Sequence, residues 1–386
     1  MRVAHLTATF PPYLGGAGTT CLQLARGMAA RGHEVEVFTA PAPGPPADPD
    51  GVRVHRLPPI YAIGNAPLIP ALAGVRGFDV VHLHHPFIFG TELALIARVR
   101  ERLRSALVVS YHNQLIGEGR RRTLFAAWEA TVGRTLVASA DAVCVLSEAH
   151  AATVPTLRRI DPARVAVLPN GVDTERFGPG PDEAGWRSRL GVPEHAVVAA
   201  FVGTLDRAHY PKRLDLALEA VAHAGDERLH VVVAGGGEWL ERYRAQAARL
   251  GLEGRVHFAG PVDHDRLPEL LRAADLLLLS SDLESFGIVL LEAMASGLPT
   301  VSTDPPGVLA VVRAGETGVL APRGNAAALG AALGRLARAE PAERRRMGAA
   351  GRLMCERHYA WGRLMEPLEA TYAAAVERRR RLGRRD

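Results

Sequence analysis

The sequence has few cysteines, few aromatic residues and no long apolar run. Its 386 residues contain three cysteines, Cys21, Cys144 and Cys355, whose wide separation fits neither a disulfide framework nor paired metal ligands. No apolar run approaches the roughly 18 to 20 residues that a membrane-spanning helix needs, and the first residues lack the long apolar region of a signal peptide. We therefore expect a cytoplasmic protein with buried, unreactive cysteines.

The positive charge is concentrated at the end of the chain. The formal net charge is +5, and residues 377–386 carry most of it, with six arginines and two acidic residues. We predict a basic tail over residues 378–386, for which a solvated, frayed end is the simpler interpretation and attraction to anionic lipid the alternative. Because no aromatic side chains interleave with these arginines, nucleic-acid binding is not expected.

Strands and helices alternate along a chain whose length fits two domains. Short β-branched runs separated by helical patterns predict parallel sheets with helices on both faces. The runs predicted as strands are residues 3–7, 34–39, 80–83, 107–110, 142–146, 165–168, 197–202, 230–234, 256–258, 276–279 and 299–302. The predicted fold class is therefore α/β, with two doubly wound, Rossmann-like domains.

A Gly/Pro-rich break at residues 177–181 separates the two series of strands. We predict an N-terminal domain over residues 1–180 and a C-terminal domain over 188–358. Open α/β sheets bind ligands at the carboxyl ends of their strands, so the two domains are expected to face each other across a ligand-binding cleft.

The segment from Ser281 to Pro299 is the most informative motif, because it places two carboxylates around the start of an apolar helix. Glu284 precedes the helix and is free to accept hydrogen bonds from sugar hydroxyls. The amides of Phe286, Gly287 and Ile288 face an anion at the helix N-terminus, and Glu292, about two turns further on, reaches another part of the same ligand. The alternative is a solvated helix start in which acids are favoured by the dipole.

A second cluster, of basic residues, follows the strand at 197–202. Arg207, Lys212 and Arg213 come in the loop after Gly203, before an amphipathic helix that starts at Leu214. A departing nucleoside diphosphate gains negative charge, and an ammonium about 4 Å away contributes on the order of 4 kcal/mol in a partly solvated site. Lys212 is the expected cation, whereas Arg213 is interpreted as a surface charge.

Two features of the N-terminal half also suggest ligand contacts. Gly15, Gly16 and Gly18 let the backbone approach a phosphate or sugar just before a helix, although a tight turn without a ligand explains them equally well. They do not form the dinucleotide fingerprint, since Cys21 stands where the third glycine would be. His112 follows a buried strand and could bind the donor sugar or move a proton, or be structural.

No metal site is expected. His82 and His84 share one face of an extended strand, but no carboxylate or cysteine lies nearby in the sequence to complete a coordination set, so we interpret them as lining of the cleft. The pairs Asp48-x-Asp50 and Asp263-x-Asp265 lie in loops and are common by chance.

The chain resembles, from end to end, the retaining GT-B glycosyltransferases of family 4. The motifs that carry the resemblance are the glycines at 15 and 16, Tyr111-His112, 145–150, Pro169-Asn-Gly-Val-Asp173, the Lys212 loop, 233–238, the segment from Glu284 through Glu292 to Pro299, and 316–320. The resemblance implies that Glu292 binds the donor's ribose, that Glu284 binds donor-sugar hydroxyls and that Lys212 binds the diphosphate.

The resemblance further implies that Gly16 closes over the diphosphate and that His112 contacts the donor sugar. It implies no metal or other cofactor, with the nucleotide sugar as co-substrate, and a final helix, predicted over residues 360–377, that packs back on the N-terminal domain. Two positions depart from the family pattern. Thr204 stands where an arginine is usual, so Arg207 is expected to supply the second cation, and Asp304-Pro-Pro-Gly307 replaces a usual Gly-Gly.

The expected function is transfer of a hexosyl group from a nucleotide sugar to a hydroxyl acceptor, with retention at the anomeric carbon. A nucleotide-sugar epimerase and a non-catalytic nucleotide-sugar-binding protein are the alternatives. The acceptor would be chosen by loops at residues 60–75 and 114–128. The segment 117–128 could rest on the inner face of a membrane if the acceptor is lipid-linked, or be an ordinary rim of the cleft.

Overall fold

The computed structural model describes residues 1–12, 15–44, 48–99, 104–115, 119–207 and 210–382. The chain divides into two compact units. The N-terminal unit comprises Met1–Asn170 and Trp361–Asp386, and the C-terminal unit comprises Gly171–Ala360. Each unit is built on its own parallel sheet.

The strands are short, with apolar and β-branched residues predominating in those at the centre of each sheet. They are β1 (Arg2–Leu6), β2 (Glu34–Thr39), β3 (Val52–Arg56), β4 (Tyr61–Ile63), β5 (Ala66–Leu68), β6 (Val80–His85), β7 (Ala106–Tyr111), β8 (Ala142–Val145), β9 (Val165–Val167), β10 (Val197–Val202), β11 (Leu229–Ala234), β12 (Val256–Gly260), β13 (Leu276–Leu279), β14 (Thr300–Thr303) and β15 (Gly318–Ala321).

The helices connect successive strands and cover the sheets. They are α1 (Gly16–Ala30), α2 (Gly90–Val99), α3 (Arg120–Trp128), α4 (Arg134–Ser139), α5 (Glu148–Thr153), α6 (Trp186–Arg189), α7 (Leu214–His223), α8 (Leu240–Arg249), α9 (Leu267–Arg272), α10 (Ile288–Ala295), α11 (Pro306–Leu309), α12 (Ala326–Arg338), α13 (Pro341–Met354) and α14 (Trp361–Leu382). None of the described helices combines the length and the apolar composition that crossing a bilayer requires.

The N-terminal sheet has the order β3-β2-β1-β6-β7-β8-β9 over the described residues, and all neighbouring strands run parallel. Its central strands are buried along their whole length, as expected for a parallel sheet covered on both faces. From β1 the chain proceeds outward through β2 and β3, then returns to build the other half from β6. The order therefore reverses between β1 and β6, where such sheets bind ligands.

The C-terminal sheet repeats this plan with the order β12-β11-β10-β13-β14-β15 over the described residues, again all parallel. Here the reversal lies between β10 and β13. The predicted two-domain α/β fold is confirmed. The edge strand β3 and the antiparallel hairpin β4–β5 were not predicted, because neither has the long apolar run that marks a central strand.

The boundary between the units lies at Asn170 and Gly171, earlier than the predicted residue 180. The residues that follow pack within the C-terminal unit: Val172 forms a bridge with Ala360, and Arg176 hydrogen-bonds His264. These long-range contacts are invisible in the local sequence, whereas the Gly/Pro-rich break at 177–181 is a conspicuous but internal loop.

The last helix, α14, belongs to the N-terminal unit and is longer than the predicted 360–377. Met365 packs on Gly27 of α1, where a Cβ would lie 2.0 Å from the methionine sulfur. Tyr372 is wholly buried, and Glu369 pairs with His33 at 2.8 Å. The predicted basic tail is helical up to Leu382, and Glu377 and Arg381 pair one turn apart at 3.0 Å on its surface; residues 383–386 lie outside the described part of the chain.

Candidate functional site

Lys212 and Glu284 meet at the point where the order of the C-terminal sheet reverses. Lys212 ends the loop after β10, and Glu284 follows β13, the strand next to β10. The ammonium nitrogen of Lys212 lies 3.0 Å from Oε2 of Glu284, with 29% and 15% of the two side chains exposed. The sheet topology thus brings together a cation and an anion that are 72 residues apart in sequence.

Lys212 also stands out by its residue type. It is the only lysine in the sequence, and every other residue of the 46 lysines and arginines is an arginine. Lysine offers a compact, flexible ammonium that the planar arginine fork does not reproduce. The sequence alone therefore carries a signal that singles out Lys212.

The backbone of the Lys212 loop is fastened from β13. The hydroxyl of Ser280 donates to the carbonyl oxygens of Lys212 and Arg213, at 2.9 and 2.7 Å. Arg213 has a left-handed φ of 52°, and its guanidinium binds the carboxylates of Asp215 and Asp282. These carboxylates, Asp215 first, raise the pKa of Arg213. Arg213 is therefore an anchor of the loop and not the free surface charge that was predicted.

Gly287 lies at the start of helix α10, beside Glu284, and a larger residue would not fit there without strain. Gly287 caps the helix with φ of 85°, and a Cβ there would lie 2.7 Å from Cδ1 of Leu290. Phe286 is buried and packs edge-on against Tyr359. Ile288 is the first residue of α10 and Phe286 and Gly287 precede it, so their amides lie at the N-terminus of the helix, where negative charge is favoured.

Glu292 lies further along α10 and is nearly buried, with 8% of its side chain exposed. His264 Nε2 lies 2.7 Å from Oε1 of Glu292, while the guanidinium of Arg176 approaches Nδ1 of His264 at 3.2 Å. Because an arginine can only donate, Nδ1 accepts and Nε2 carries the proton donated to Glu292. His264 orients Glu292, a role that the sequence did not reveal because nothing local links residues so far apart.

Glycines surround the Lys212 loop where backbone segments touch. Gly203 lies beside the Lys212 side chain, and a Cβ on Gly235 would fall 1.9 Å from the carbonyl oxygen of Gly203. The amide of Arg207 donates to Oε1 of Glu238 at 3.2 Å, on an exposed part of the loop. Residues 208–209 lie outside the described chain, and the expected role of Arg207 as second cation stays a prediction.

The segment Asp304-Pro-Pro-Gly307, which departs from the family pattern, has a glycine where its backbone approaches that of Glu284. A Cβ on Gly307 would lie 2.3 Å from the carbonyl oxygen of Glu284 and 2.4 Å from the carbonyl carbon of Ser285. Gly307, in the short helix α11, is thus in direct contact with the backbone that carries Glu284. No local pattern in the sequence reveals this contact, because Gly307 and Glu284 are brought together only by the fold.

The glycine turn of the N-terminal unit follows β1. Gly15 is extended, with φ of −166°, and caps α1, while Gly16 is the first residue of that helix. Gly18 makes the close approach: a Cβ there would lie 2.7 Å from the carbonyl oxygen of Thr9. The turn therefore requires glycine at 18 for packing, whereas Gly15 and Gly16 remain the candidates for ligand contact.

His112 follows β7 and hydrogen-bonds another histidine. Its Nε2 lies 2.9 Å from Nδ1 of His84, its residue exposure is 8%, and burial lowers its pKa to about 4. The prediction that His82 and His84 line a cleft is wrong, because both are buried. His82 is instead held between the hydroxyls of Tyr372 and Ser110, at 2.7 and 2.8 Å.

His5 joins His82 and His84 in a cluster whose ring nitrogens come within 4.8 Å of one another, a spacing that could hold a metal ion. The sequence suggested no third ligand because His5 lies on β1, next to β6 in the sheet. In the structure the ring nitrogens of His82 and His84 are all engaged in hydrogen bonds. A metal would have to displace these bonds.

Comparison with known families also divides the chain into two parts. A family model described as Glycosyltransferase Family 4 matches residues 14–176, and one described as Glycosyl transferases group 1 matches residues 182–354. The chain is 33% identical to a D-inositol 3-phosphate glycosyltransferase of Streptomyces bingchenggensis, over 99% of this chain and 90% of that protein. A protein of the same name from Geodermatophilus obscurus is 33% identical, with 94% and 85% covered.

Solved structures show the same architecture. Sucrose-phosphate synthase from Thermosynechococcus elongatus superposes with a TM-score of 0.80 at 23% identity, over 96% of this chain and 98% of that one. Anabaena HepE in complex with UDP-glucose gives a TM-score of 0.77 at 22% identity, over 97% and 100%. With two Rossmann-like units and near full-length similarity to curated relatives, the chain belongs to family 4 of the glycosyltransferases and has the GT-B fold.

Proposed function

We propose that this glycosyltransferase moves a hexosyl group from a nucleoside-diphosphate sugar to a hydroxyl acceptor, with retention at the anomeric carbon. The observation that carries the proposal is the 3.0 Å pair of Lys212 and Glu284, beside the first turn of α10 and at the reversal point of the sheet. This arrangement offers a cation, helix amides and a carboxylate to one ligand.

Lys212 stabilises the leaving group. When the bond between sugar and diphosphate breaks, negative charge grows on the phosphate oxygens, and an ammonium nearby lowers the energy of that transition state. Glu284 hydrogen-bonds this ammonium at 3.0 Å and so helps to fix its position in the site. The first-turn amides of α10 add the partial positive charge of a helix N-terminus.

Glu284 and Glu292 divide the recognition of the donor. Glu284, partly exposed, accepts hydrogen bonds from donor-sugar hydroxyls, and Glu292, held by His264, accepts them from the ribose. His112 contacts the donor sugar from the N-terminal unit, and Gly15 and Gly16 lie against the diphosphate. These roles follow from the family resemblance and fit the chemistry of carboxylates, which only accept hydrogen bonds when ionised.

Retention is proposed to occur by attack on the same face from which the diphosphate departs, with the departing phosphate taking the acceptor's proton. Lys212 supplies the charge stabilisation in this scheme, so no metal ion is required for departure of the diphosphate. Arg207 is the proposed second cation.

The relatives suggest where to look for substrates. The curated relatives are named D-inositol 3-phosphate glycosyltransferases, and HepE was solved with UDP-glucose. We therefore propose a UDP-hexose as the first donor to test and hydroxyls of a phosphorylated polyol as the first acceptors, followed by glycans and lipid-linked acceptors. Stabilisation of the protein by UDP in a thermal-shift titration would support the choice of nucleotide.

The single lysine makes the decisive experiment direct. Lys212→Ala should reduce turnover by about two to three decades, which corresponds to about 3 to 4 kcal/mol of transition-state stabilisation. In protein labelled with ¹⁵N-lysine, one side-chain ammonium signal reports Lys212, and it should shift on addition of UDP but not of uridine. Near-normal turnover of Lys212→Ala would overturn the assignment.

Two controls separate this proposal from its alternatives. An epimerase would convert the donor without any acceptor, so incubation of donor alone followed by sugar analysis distinguishes it from a transferase. A binding protein would saturate with donor and show neither hydrolysis nor transfer across the acceptor panel. Retention is read from the anomeric configuration of the product by NMR.

A lipid-linked acceptor would bring the protein to the inner face of a membrane. Support comes from apolar side chains exposed in the N-terminal unit: Ile60, Tyr61 and Ile63 at the hairpin β4–β5 are 73%, 56% and 58% exposed, and Leu124 of α3 is 65% exposed. We propose a cytoplasmic protein with peripheral membrane contact. Sedimentation with anionic vesicles should be lost in an Ile60→Ser/Ile63→Ser variant, while wild-type protein absent from the vesicle pellet would contradict the proposal.

A further inference from the structure

Three buried histidines form a continuous hydrogen-bonded chain that ends at His112. Nδ1 of His5 lies 3.0 Å from Nε2 of His84, and Nδ1 of His84 lies 2.9 Å from Nε2 of His112. The rings of His84 and His112 are nearly parallel, with an interplanar angle of 6°, which fits a hydrogen bond between ring nitrogens. The chain crosses the sheet from β1 through β6 to the end of β7, across the reversal of strand order.

The three rings are neutral near physiological pH. His5 and His84 are buried, and burial lowers the pKa of His5 to about 3 and that of His84 well below its usual value, with His82 adding to the second effect. His112 is nearly as buried, and His85 and His150 oppose its protonation as well. A neutral imidazole carries one proton, so each ring donates through one nitrogen and accepts through the other.

Three protons on three hydrogen-bonded rings can be arranged in only two ways. Each of the two hydrogen bonds needs one proton, and the third proton must lie at one end, either on Nε2 of His5 or on Nδ1 of His112. Since the middle ring has a single proton, the three tautomers change together. A proton on His112 Nδ1 therefore requires His84 to donate through Nδ1 and His5 to donate through its own Nδ1.

The environment of His5 selects between the two states. Nε2 of His5 is buried without a hydrogen-bond partner among the described residues. A proton there would be an orphaned buried donor, which is rare in folded proteins. At the other end His112 is 8% exposed and can meet water or a ligand. The third proton therefore belongs on His112.

We propose that His5 and His84 are positioning residues that hold His112 in the Nδ1–H tautomer, so that it presents a hydrogen-bond donor to a hydroxyl oxygen of the donor sugar. The identity of that ligand rests on the proposed function, whereas the tautomer does not. The sugar hydroxyl would then be free to donate its own proton to an acceptor such as a carboxylate.

The tautomer can be measured directly on the wild-type protein labelled with ¹⁵N-histidine. At pH 7.5 we expect His112, assigned by the loss of its signals in His112→Gln, to show a protonated Nδ1 and an unprotonated Nε2. In His84→Phe the resonance should move toward the Nε2–H form that is favoured in free histidine. A wild-type His112 protonated on Nε2 would overturn the proposal.

A matched pair of variants separates positioning from packing. His82→Phe and His84→Phe each remove a buried imidazole from the same face of the same strand, but it is His84 that hydrogen-bonds His112, whereas His82 bonds Tyr372 and Ser110. We expect kcat/KM for the donor to fall about tenfold in His84→Phe and to change less than twofold in His82→Phe. His84→Gln, which can still accept and donate, should recover part of the loss and serves if His84→Phe does not fold.

A double-mutant cycle adds a readout that a purely structural role would not move. The effect of His84→Phe should vanish in a His112→Ala background, because the two residues act through one hydrogen bond; additive losses would contradict the proposal. If His112→Ala alone leaves turnover unchanged, the proposed contact with the sugar is wrong. The tautomer measurement on the wild-type protein still tests whether His5 and His84 hold His112 in the Nδ1–H form. Stoichiometric zinc, copper or nickel in the purified protein, lost in His5→Phe, would show that these histidines bind a metal ion and would contradict the hydrogen-bonded arrangement proposed here.

Discussion

At the scale of single residues, Lys212 combines a geometric and a compositional argument. It is paired with Glu284, anchored through Ser280, and is the only lysine in a chain that otherwise uses arginine. A chain that contains arginine at every other basic position has no evident reason to place lysine here except that the site needs a compact ammonium.

Lys212→Arg is therefore expected to lower kcat at least tenfold while leaving the protein folded. The longer, planar guanidinium keeps the charge but moves it away from the position fixed by the loop, so the leaving group loses part of its stabilisation. Initial rates with saturating donor measure the effect. Arg249→Lys, an exposed position at the end of α8, is the matched control and should keep its rate. Wild-type turnover in Lys212→Arg would show that the positive charge alone is required at this position and would contradict the need for a compact ammonium.

His264 gives a second prediction at this scale. His264→Ala removes the hydrogen bond to Glu292, and loss of a charge-assisted bond of about 1.5 kcal/mol corresponds to about a tenfold change in affinity. Since Glu292 is assigned to the ribose, which is bound equally before and during reaction, KM for the donor should rise with kcat nearly unchanged. His257→Ala, which removes a histidine paired with His230 in the same unit, should leave KM unaltered.

At the scale of elements, the start of α10 depends on the short helix α11 packed against it. Gly307 touches the carbonyl of Glu284 so closely that any side chain must push the two segments apart. The position of Glu284 is therefore determined by its neighbours in sequence, β13 and α10, and by α11, which packs against it through Gly307.

Gly307→Ala should lower the free energy of unfolding by about 1 to 3 kcal/mol and also reduce turnover, since the added methyl group displaces the backbone of Glu284. Urea denaturation and initial rates measure the two effects. Gly178→Ala is the control, because a Cβ at Gly178 would meet only Nη1 of Arg352 at 3.5 Å, an ordinary contact. Equal behaviour of the two variants would contradict the proposed contact.

At the scale of the whole molecule, the buried histidines couple stability to pH. The pKa of His112 is lowered to about 4 and that of His5 to about 3, from an ordinary value near 6.5. Below pH 6.5 the unfolded chain takes up protons that the folded protein does not. The stability contributed by each histidine is thus complete above pH 6.5 and is lost as the pH falls through the folded-state pKa.

The free energy of unfolding should therefore fall between pH 6.5 and about pH 4, by up to about 1.4 kcal/mol per pH unit for each such histidine. Urea denaturation at pH 5 and pH 7.5 tests this. His5→Phe should weaken the dependence of the free energy of unfolding on pH. His33→Phe, which removes a partly buried histidine paired with Glu369, is the control for loss of a histidine from the same unit. A stability independent of pH in this range would contradict burial of neutral imidazoles.

Much of the fold could be predicted from the sequence. The runs at 197–202 and 276–279 coincide with β10 and β13, because strands buried on both faces leave a continuous apolar run. The run at 34–39 coincides with β2, where valines alternate with glutamates. Edge strands such as β3, with Val52–Arg56 half polar, leave a weaker pattern and were missed. The carboxylates and lysine of the site were found because they follow such strands or open an apolar helix.

The sequence alone determined the two-domain parallel architecture and the residue types at the carboxyl ends of the strands, since burial and chain order dictate both. Only the tertiary structure decided which residues meet: Lys212 with Glu284, His264 with Glu292, and His5 with His84. The physical reason is that these pairs form where non-consecutive strands or loops become neighbours. Hydrogen bonds across such neighbours depend on sheet order and side-chain direction, and no local pattern of residues records them.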